Sequence, residues 1–162
     1  MVTSSATTAP TGAKLPDEAA LRDLVDYRCV VEGGAAALAS RRATPEQLEH
    51  LEALAAELDA IDDFGTWSEQ DTLLHLVIAD ASGSERLLVE VGRVRAEVFR
   101  LSQLVPVPRQ ATELANREHG ELVAAIGSRE PDRAREAMVS HVESTRALWL
   151  GLGRVPRRSR GR

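Results

Sequence analysis

The sequence predicts an all-α protein, an antiparallel bundle of about six helices. Three observations carry that prediction. Apolar residues recur at spacings of three and four through almost every segment. Capping residues, prolines and glycines punctuate the chain at helix-sized intervals. No stretch alternates with period two or carries a hairpin turn. The connections are short, so sequential helices are expected to lie antiparallel.

Pro16-Asp17-Glu18 opens the first helix, whose inward residues are Leu21, Leu24, Val25, Val31, Ala35 and Leu38. Gly33-Gly34 falls inside it, where a kink or a close helix contact is expected rather than a stop. Thr44-Pro45-Glu46-Gln47 combines an N-cap, a proline at the first helical position and a glutamine three residues after the cap. Leu48, Leu51, Leu54, Ala55 and Leu58 form the stripe that follows. Thr66-Trp67-Ser68-Glu69 resembles a second capping box, opening a helix that Ser82-Gly83 ends. Ser84 is placed to cap the next helix, which runs to the break at Pro106-Val107-Pro108. A fifth spans about Arg109 to Ile126 and stops at Gly127; Pro131 stands in the first turn of the last, which ends around Gly151-Leu152-Gly153. The domain is therefore expected over 16–153, between a flexible arm at 1–15 and a disordered Arg-rich tail at 154–162.

With 162 residues the chain has the size of one domain. Aromatic residues make up 3%, too few for the stacking platforms that hold single-stranded nucleic acid. The last nine residues hold five arginines and no acid; without them 15 basic residues face 25 acidic ones, a net charge of −10. A body that acidic is a poor partner for a phosphate backbone, so direct DNA binding by this chain is not expected. Cys29 is the single cysteine, which excludes an internal disulfide and any multi-cysteine metal site. No apolar run approaches the roughly 20 residues of a membrane span, and residues 1–15 lack the apolar stretch of a secretory signal. A cytoplasmic protein is expected.

The faces of the histidines are the informative feature. Asp71 and His75 are four apart and share a face with Leu74 and Ile78, so acid and imidazole point toward the core. His119 lies on a stripe with Ala115, Leu122, Val123 and Ile126; His141 lies with Ala134, Ala137, Met138, Thr145 and Leu148. His50 is on a polar side, beside Glu46 and Glu57. Burying a carboxylate and three imidazoles separately costs several kcal/mol. Gathering them around one cation removes that cost. His119 precedes Gly127 by eight residues, about 12 Å of helix, and His141 follows Pro131 by ten, about 15 Å, so a helical hairpin returns the two rings to one level. Three nitrogens and one oxygen suit a divalent metal such as Zn²⁺, Ni²⁺, Mn²⁺ or Fe²⁺. Taken singly, an inward histidine is a satisfied core residue and Asp71–His75 a local hydrogen-bonded pair.

The same residues carry a family resemblance. Tyr27-Arg28-Cys29-Val30-Val31-Glu32, the Ala-rich Ala35–Ala39 and Arg41-Arg42-Ala43-Thr44 resemble the first helices of the FadR C-terminal (FCD) domain, the effector-sensing half of many GntR-family transcriptional regulators. Asp71-x-x-x-His75 with Ile78-Ala79-Asp80-Ala81-Ser82-Gly83, then His119-Gly-Glu-Leu-Val-Ala-Ala-Ile126, then Ala137-Met-Val-Ser-His141, resemble its later motifs in order. The resemblance covers about Leu21 to Leu150. It implies a bundle of six or seven helices around a central cavity and a metal, most often zinc, held by Asp71, His75, His119 and His141. It further implies a small carboxylate effector and a homodimer. Family members often carry Asn at the place of Ser84. Only about twenty residues precede the first helix, too few for the winged helix-turn-helix that usually comes before this domain, so none is expected in this chain.

Arg28 and Arg95 fall near inward stripes and are candidates to bind an effector carboxylate bidentately. The alternatives are an Arg28–Glu32 pair at i, i+4 and an Arg95 paired across helices or at a dimer surface. Arg86, Glu90, Arg93, Glu97 and Arg100 read as a solvated or interface face, and Cys29 as a small buried apolar residue. There is no phosphate loop, nucleophile elbow or HExxH signature. A non-enzymatic sensor is the expected function. A metal-dependent hydrolase, with Glu32 as the only available proton shuttle, and a dimerisation module with a purely structural metal are the rivals.

Overall fold

The computed structural model describes residues 15–152, leaving the expected Arg-rich tail and all of the arm but Leu15 outside the described residues. Six helices and no strand are found there: α1 (Glu18–Arg42), α2 (Pro45–Leu58), α3 (Phe64–Ala81), α4 (Glu85–Ser102), α5 (Arg109–Gly127) and α6 (Pro131–Leu152). The all-α bundle and the element order are as the sequence predicts.

Local chemistry sets most boundaries. Asp17 caps α1 by accepting from the Ala20 amide at 2.9 Å. Thr44 and Gln47 form the reciprocal capping box at the start of α2, with bonds of 3.2 and 3.0 Å. Ser84 accepts from the Leu87 amide at 3.3 Å and opens α4. The start of α3 needs correction. Asp63, not Thr66, is its N-cap, because the Asp63 carboxylate accepts both the Thr66 amide and the Thr66 hydroxyl at 2.8 Å. That uses up the Thr66 side chain and starts the helix at Phe64. At its other end α4 stops at Ser102, before the prolines, and turns through Gln103 and Leu104. Past α5, Arg129 takes the left-handed conformation (φ 61°) and its guanidinium donates to the carbonyls of Ser40 and Ala43, fastening the turn to the end of α1.

α1 is the central helix, packed against α3, α4, α5 and α6. It continues unbroken through Gly33-Gly34, and Gly33 explains how α6 comes so near. A Cβ at Gly33 would stand 3.3 Å from Val139 Cγ2 and 3.5 Å from Arg135 Cγ. α2 closes the bundle against α3 and α5 with Leu51, Leu54 and Leu58, all buried. The three-residue link between α5 and α6 makes those helices an antiparallel hairpin, which sets the register of the site.

Candidate functional site: a buried Asp–His cluster beneath an apolar cavity

The inward histidines converge. Asp71 and His75 rise from successive turns of α3, His119 comes from α5 and His141 from α6, and all four residues are buried. Each offers one donor atom, and the four atoms lie within 4.8 Å of one another. His119 Nε2 stands 3.2 Å from His141 Nε2 and 3.1 Å from Asp71 Oδ1, while His75 Nε2 is 3.7 Å from that same oxygen. Ligands held at about 2.0–2.2 Å from one ion are separated by roughly 3.0–3.5 Å. The two contacts of His119, at 3.1 and 3.2 Å, already have that separation, and the remaining donors stand somewhat wider, within 4.8 Å.

The groups behind the donors fit the same reading. Nδ1 of His141 is 2.9 Å from Glu118 Oε2, which turns the Nε2 edge inward. Nδ1 of His75 lies against Glu32 Oε2, though without the alignment of a hydrogen bond. Arg28 Nε holds the other oxygen of Glu32 at 2.7 Å. Arg95 donates to Asp71 Oδ2 and reaches Thr72 Oγ1 at 3.5 Å, leaving Asp71 Oδ1 toward the rings. Both nitrogens of His75 and Nδ1 of His119 are buried without a hydrogen-bond partner among the described residues. Buried imidazoles in that state are costly unless something else binds them. A divalent cation fits this donor set.

The electrostatics keep the donors in their metal-binding forms. Burial pushes the Asp71 carboxyl upward, but Arg95, the His119 hydrogen bond and the neighbouring imidazoles outweigh it and hold Asp71 well below the usual carboxylate range. Glu32 behaves likewise; burial is opposed by Arg28, His75 and Arg95, and its value falls. Burial, reinforced by Arg95 and resisted by Glu32 and Asp71, lowers His75 to about 3. Burial and His119 likewise lower His141. Both rings are therefore neutral at physiological pH, as metal ligation requires.

Above the cluster lies a cavity of about 280 Å³. Asp71, Arg95, Glu118 and His141 supply its charged and imidazole groups, and apolar side chains of α3 to α6, among them Val98, Ala115 and Leu148, supply most of the remainder. Arg95 thus lines the cavity, as expected of an effector contact, while also making the cross-helix pair weighed against that role. Arg28 does not line it. Its guanidinium is fully buried and bonded to Glu32, the i, i+4 pair that stood as the alternative. His50 is exposed, on the polar side where its neighbours placed it. Cys29 is half-buried, with Sγ 3.8 Å from Glu143.

Glu118 is the residue that sequence reasoning missed. Its neighbour His119 drew the attention, yet Ala111, Ala115, Glu118 and Leu122 form an inward stripe with an acid on it, a signal of the kind that revealed Asp71.

Comparison with known proteins agrees with this architecture. Residues 23–144 match the FCD domain. The chain belongs to the FCD domain family. Among curated relatives, the HTH-type transcriptional regulator LutR of Bacillus subtilis (strain 168) is 26% identical over 137 residues, 81% of this chain and 63% of LutR. The HTH-type transcriptional repressor NanR of Salmonella schwarzengrund (strain CVM19633) is 28% identical, over 82% of this chain and 52% of NanR. The putative L-lactate dehydrogenase operon regulatory protein of Escherichia coli (strain K12) is 31% identical, over 74% of this chain and 48% of that protein. The chain therefore spans about half to three fifths of the length of these regulators. Two solved structures share the fold. Streptococcus agalactiae GntR superposes with a TM-score of 0.69 at 23% identity, covering 83% of this chain and 62% of its own. E. coli McbR/YncC gives 0.73 at 21%, covering 89% and 72%. Among the described residues no helix is long and apolar enough to cross a membrane.

Proposed function

We propose that this FCD domain is a metal-assisted sensor of small carboxylates that acts in transcriptional regulation. The convergence of Asp71, His75, His119 and His141 beneath a cavity is the observation that carries the proposal. These four residues would hold the ion, with Zn²⁺ the first candidate and Ni²⁺, Mn²⁺ or Fe²⁺ compatible with the same donors. A bound divalent ion supplies fixed positive charge where an anionic head group enters. Asp71 and His141 face the cavity from the cluster and Arg95 stands beside them, so an effector carboxylate would meet this end. Helices α3 to α6 all contribute to the cavity wall, so occupancy bears on their packing and is thereby transmitted to a partner copy or a DNA-reading domain. The regulatory outcome is supported by the family and by the relatives' names.

The hydrolase alternative loses the acid on which it relied, and Glu118, an acid that does line the cavity, is engaged by His141 and Ser144. The lost acid, Glu32, is 1% exposed, held by Arg28 and placed behind His75, away from the cavity. Metal analysis of the purified protein, followed by thermal shift with small carboxylates before and after chelation, tests the sensor. The expected result is about one equivalent of divalent metal and metal-dependent stabilisation by particular acids, with L-lactate included because of the E. coli relative's name. Stabilisation by metal with no carboxylate response would leave a purely structural ion, and no metal binding would end the proposal.

A further inference from the structure

The shape and chemistry of the cavity narrow the effector. We propose that it takes a monocarboxylate with an apolar body, an aliphatic or aryl-substituted acid, and discriminates against dicarboxylates. The inference rests on the carboxylate-sensor reading above and concerns what lies behind the head group.

A second carboxylate needs several donors, and most of those in the wall are committed, apart from the Thr145 hydroxyl and the Trp149 indole. The Ser102 hydroxyl donates to the Phe99 carbonyl at 2.8 Å and stands 3.4 Å from that of Ser68. Thr112 donates to the Arg109 carbonyl at 2.8 Å, Ser144 donates to Glu118, and the Trp67 indole donates to Asn116 at 2.9 Å. Arg95, the cationic side chain of the lining, sits at the Asp71 end, where the first carboxylate is accommodated. Glu118, fixed between Ser144 and His141 beside the cluster, leaves the lining with two carboxylates against one guanidinium, and that charge repels a second anion. Buried anions without donors are strongly disfavoured.

What the wall does offer is apolar contact. Val98, Ala111, Ala115, Leu148 and Trp149 line the cavity together with Trp67, whose ring stacks on His119. About 280 Å³ is near the small end of ligand cavities, room for a short chain or one ring. Each methylene moved from water into such a lining tightens binding by about fourfold. Affinity should therefore climb with chain length until the cavity is full.

The test is calorimetric titration of the metal-loaded protein with acetate, butanoate, pentanoate and phenylacetate, against succinate and hexan-1-ol. Butanoate and succinate share a four-carbon chain, so their ratio isolates the second carboxylate. Butanoate is expected to bind at least tenfold tighter than succinate, and each methylene from acetate to pentanoate to gain about three- to fourfold. In Ala111→Phe, which fills the apolar part and touches no residue of the cluster, pentanoate should weaken more than tenfold while acetate is unchanged. Succinate matching butanoate, or affinity flat with chain length, would overturn this inference and leave the sensor reading standing. Binding of hexan-1-ol without any carboxylate would instead overturn the sensor reading itself. Should Ala111→Phe fail to fold, the butanoate-to-succinate ratio in the unmodified protein still decides.

Discussion

At one end of the bundle interior, Ile78, Leu122, Ile126 and Met138 are enclosed with Ala36 and Ala39 and nothing polar is asked of them. At the other, one or two turns along the same helices, Asp71, His75, His119 and His141 are equally enclosed, with Arg28, Glu32 and Arg95 around them. α3 contributes to both ends, and so do α5, α6 and α1. The dry end is held by area removed from water, which needs no particular partner. The polar end is held by pairs in which each charge depends on another, because burying either alone costs several kcal/mol. The difference teaches that one helix supplies the folding energy and the site from adjacent turns. Changes at the two ends should therefore separate into a stability effect and a binding effect.

The largest expected separation comes from Asp71→Ala. It leaves Arg95 buried without its carboxylate, which costs about 3–5 kcal/mol, and it removes the oxygen donor, so metal binding is lost as well. Ile78→Ala is the matched change two turns away at the dry end. A cavity there costs about 2–5 kcal/mol, but the four donors keep their places and metal affinity should stay within a factor of two or so of the parent. Denaturant melts beside metal titrations of both variants check this. A hundredfold loss of metal affinity in Ile78→Ala would break the division between the ends.

Of the two ends of the interior, the polar one should respond to mild acid. Burial lowers both His75 and His141, so below about pH 6.5 the unfolded chain takes up protons that the folded chain refuses. Stability is then full above that pH and falls as the solution is acidified, for His75 down to about 3. At pH 5.5 His75 alone accounts for about 1.4 kcal/mol, with His141 adding in the same direction. Asp71 and Glu32 are lowered in the folded chain, so their stabilisation is present above the ordinary carboxylate values and is lost only in stronger acid. Melting curves of chelated protein at pH 7.5 and 5.5 measure the effect. An unchanged Tm would show that the rings are not held neutral.

The two ends also differ in how legible they were. Leu51, Leu54, Leu58, Ile78 and Ile126 announce themselves by spacing, since helical periodicity and burial are the same fact seen twice. Asp71, His75, His119 and His141 were legible for a related reason: each is a polar residue on an apolar stripe. Arg95 could be placed inward but not assigned a partner, because a one-dimensional pattern does not say which helix lies opposite. Glu118 was hidden by its neighbour, since His119 and Glu118 sit on adjoining parts of one helix face. The start of α3 went wrong for a local reason. Both Asp63 and Thr66 are capping residues, and the carboxylate took the Thr66 hydroxyl that would otherwise have served as the cap.

The smallest effect expected lies at the rim of the dry end. Thr44 caps α2, and its partner Gln47 also reaches Asp80 of α3 with a 3.1 Å bond, so the box ties the start of α2 to the end of α3. Thr44→Ala removes the hydroxyl and leaves the Gln47 amide without its acceptor, at a cost of about 1 kcal/mol. α2 supplies none of the four donors and packs against α3 and α5 through Leu51, Leu54 and Leu58. A one-step drop in denaturation midpoint with unaltered metal and carboxylate isotherms is therefore expected. A change in those isotherms as large as the one from Asp71→Ala would mean that α2 sets the position of α3 around the cluster, and that the two ends of the interior act as one.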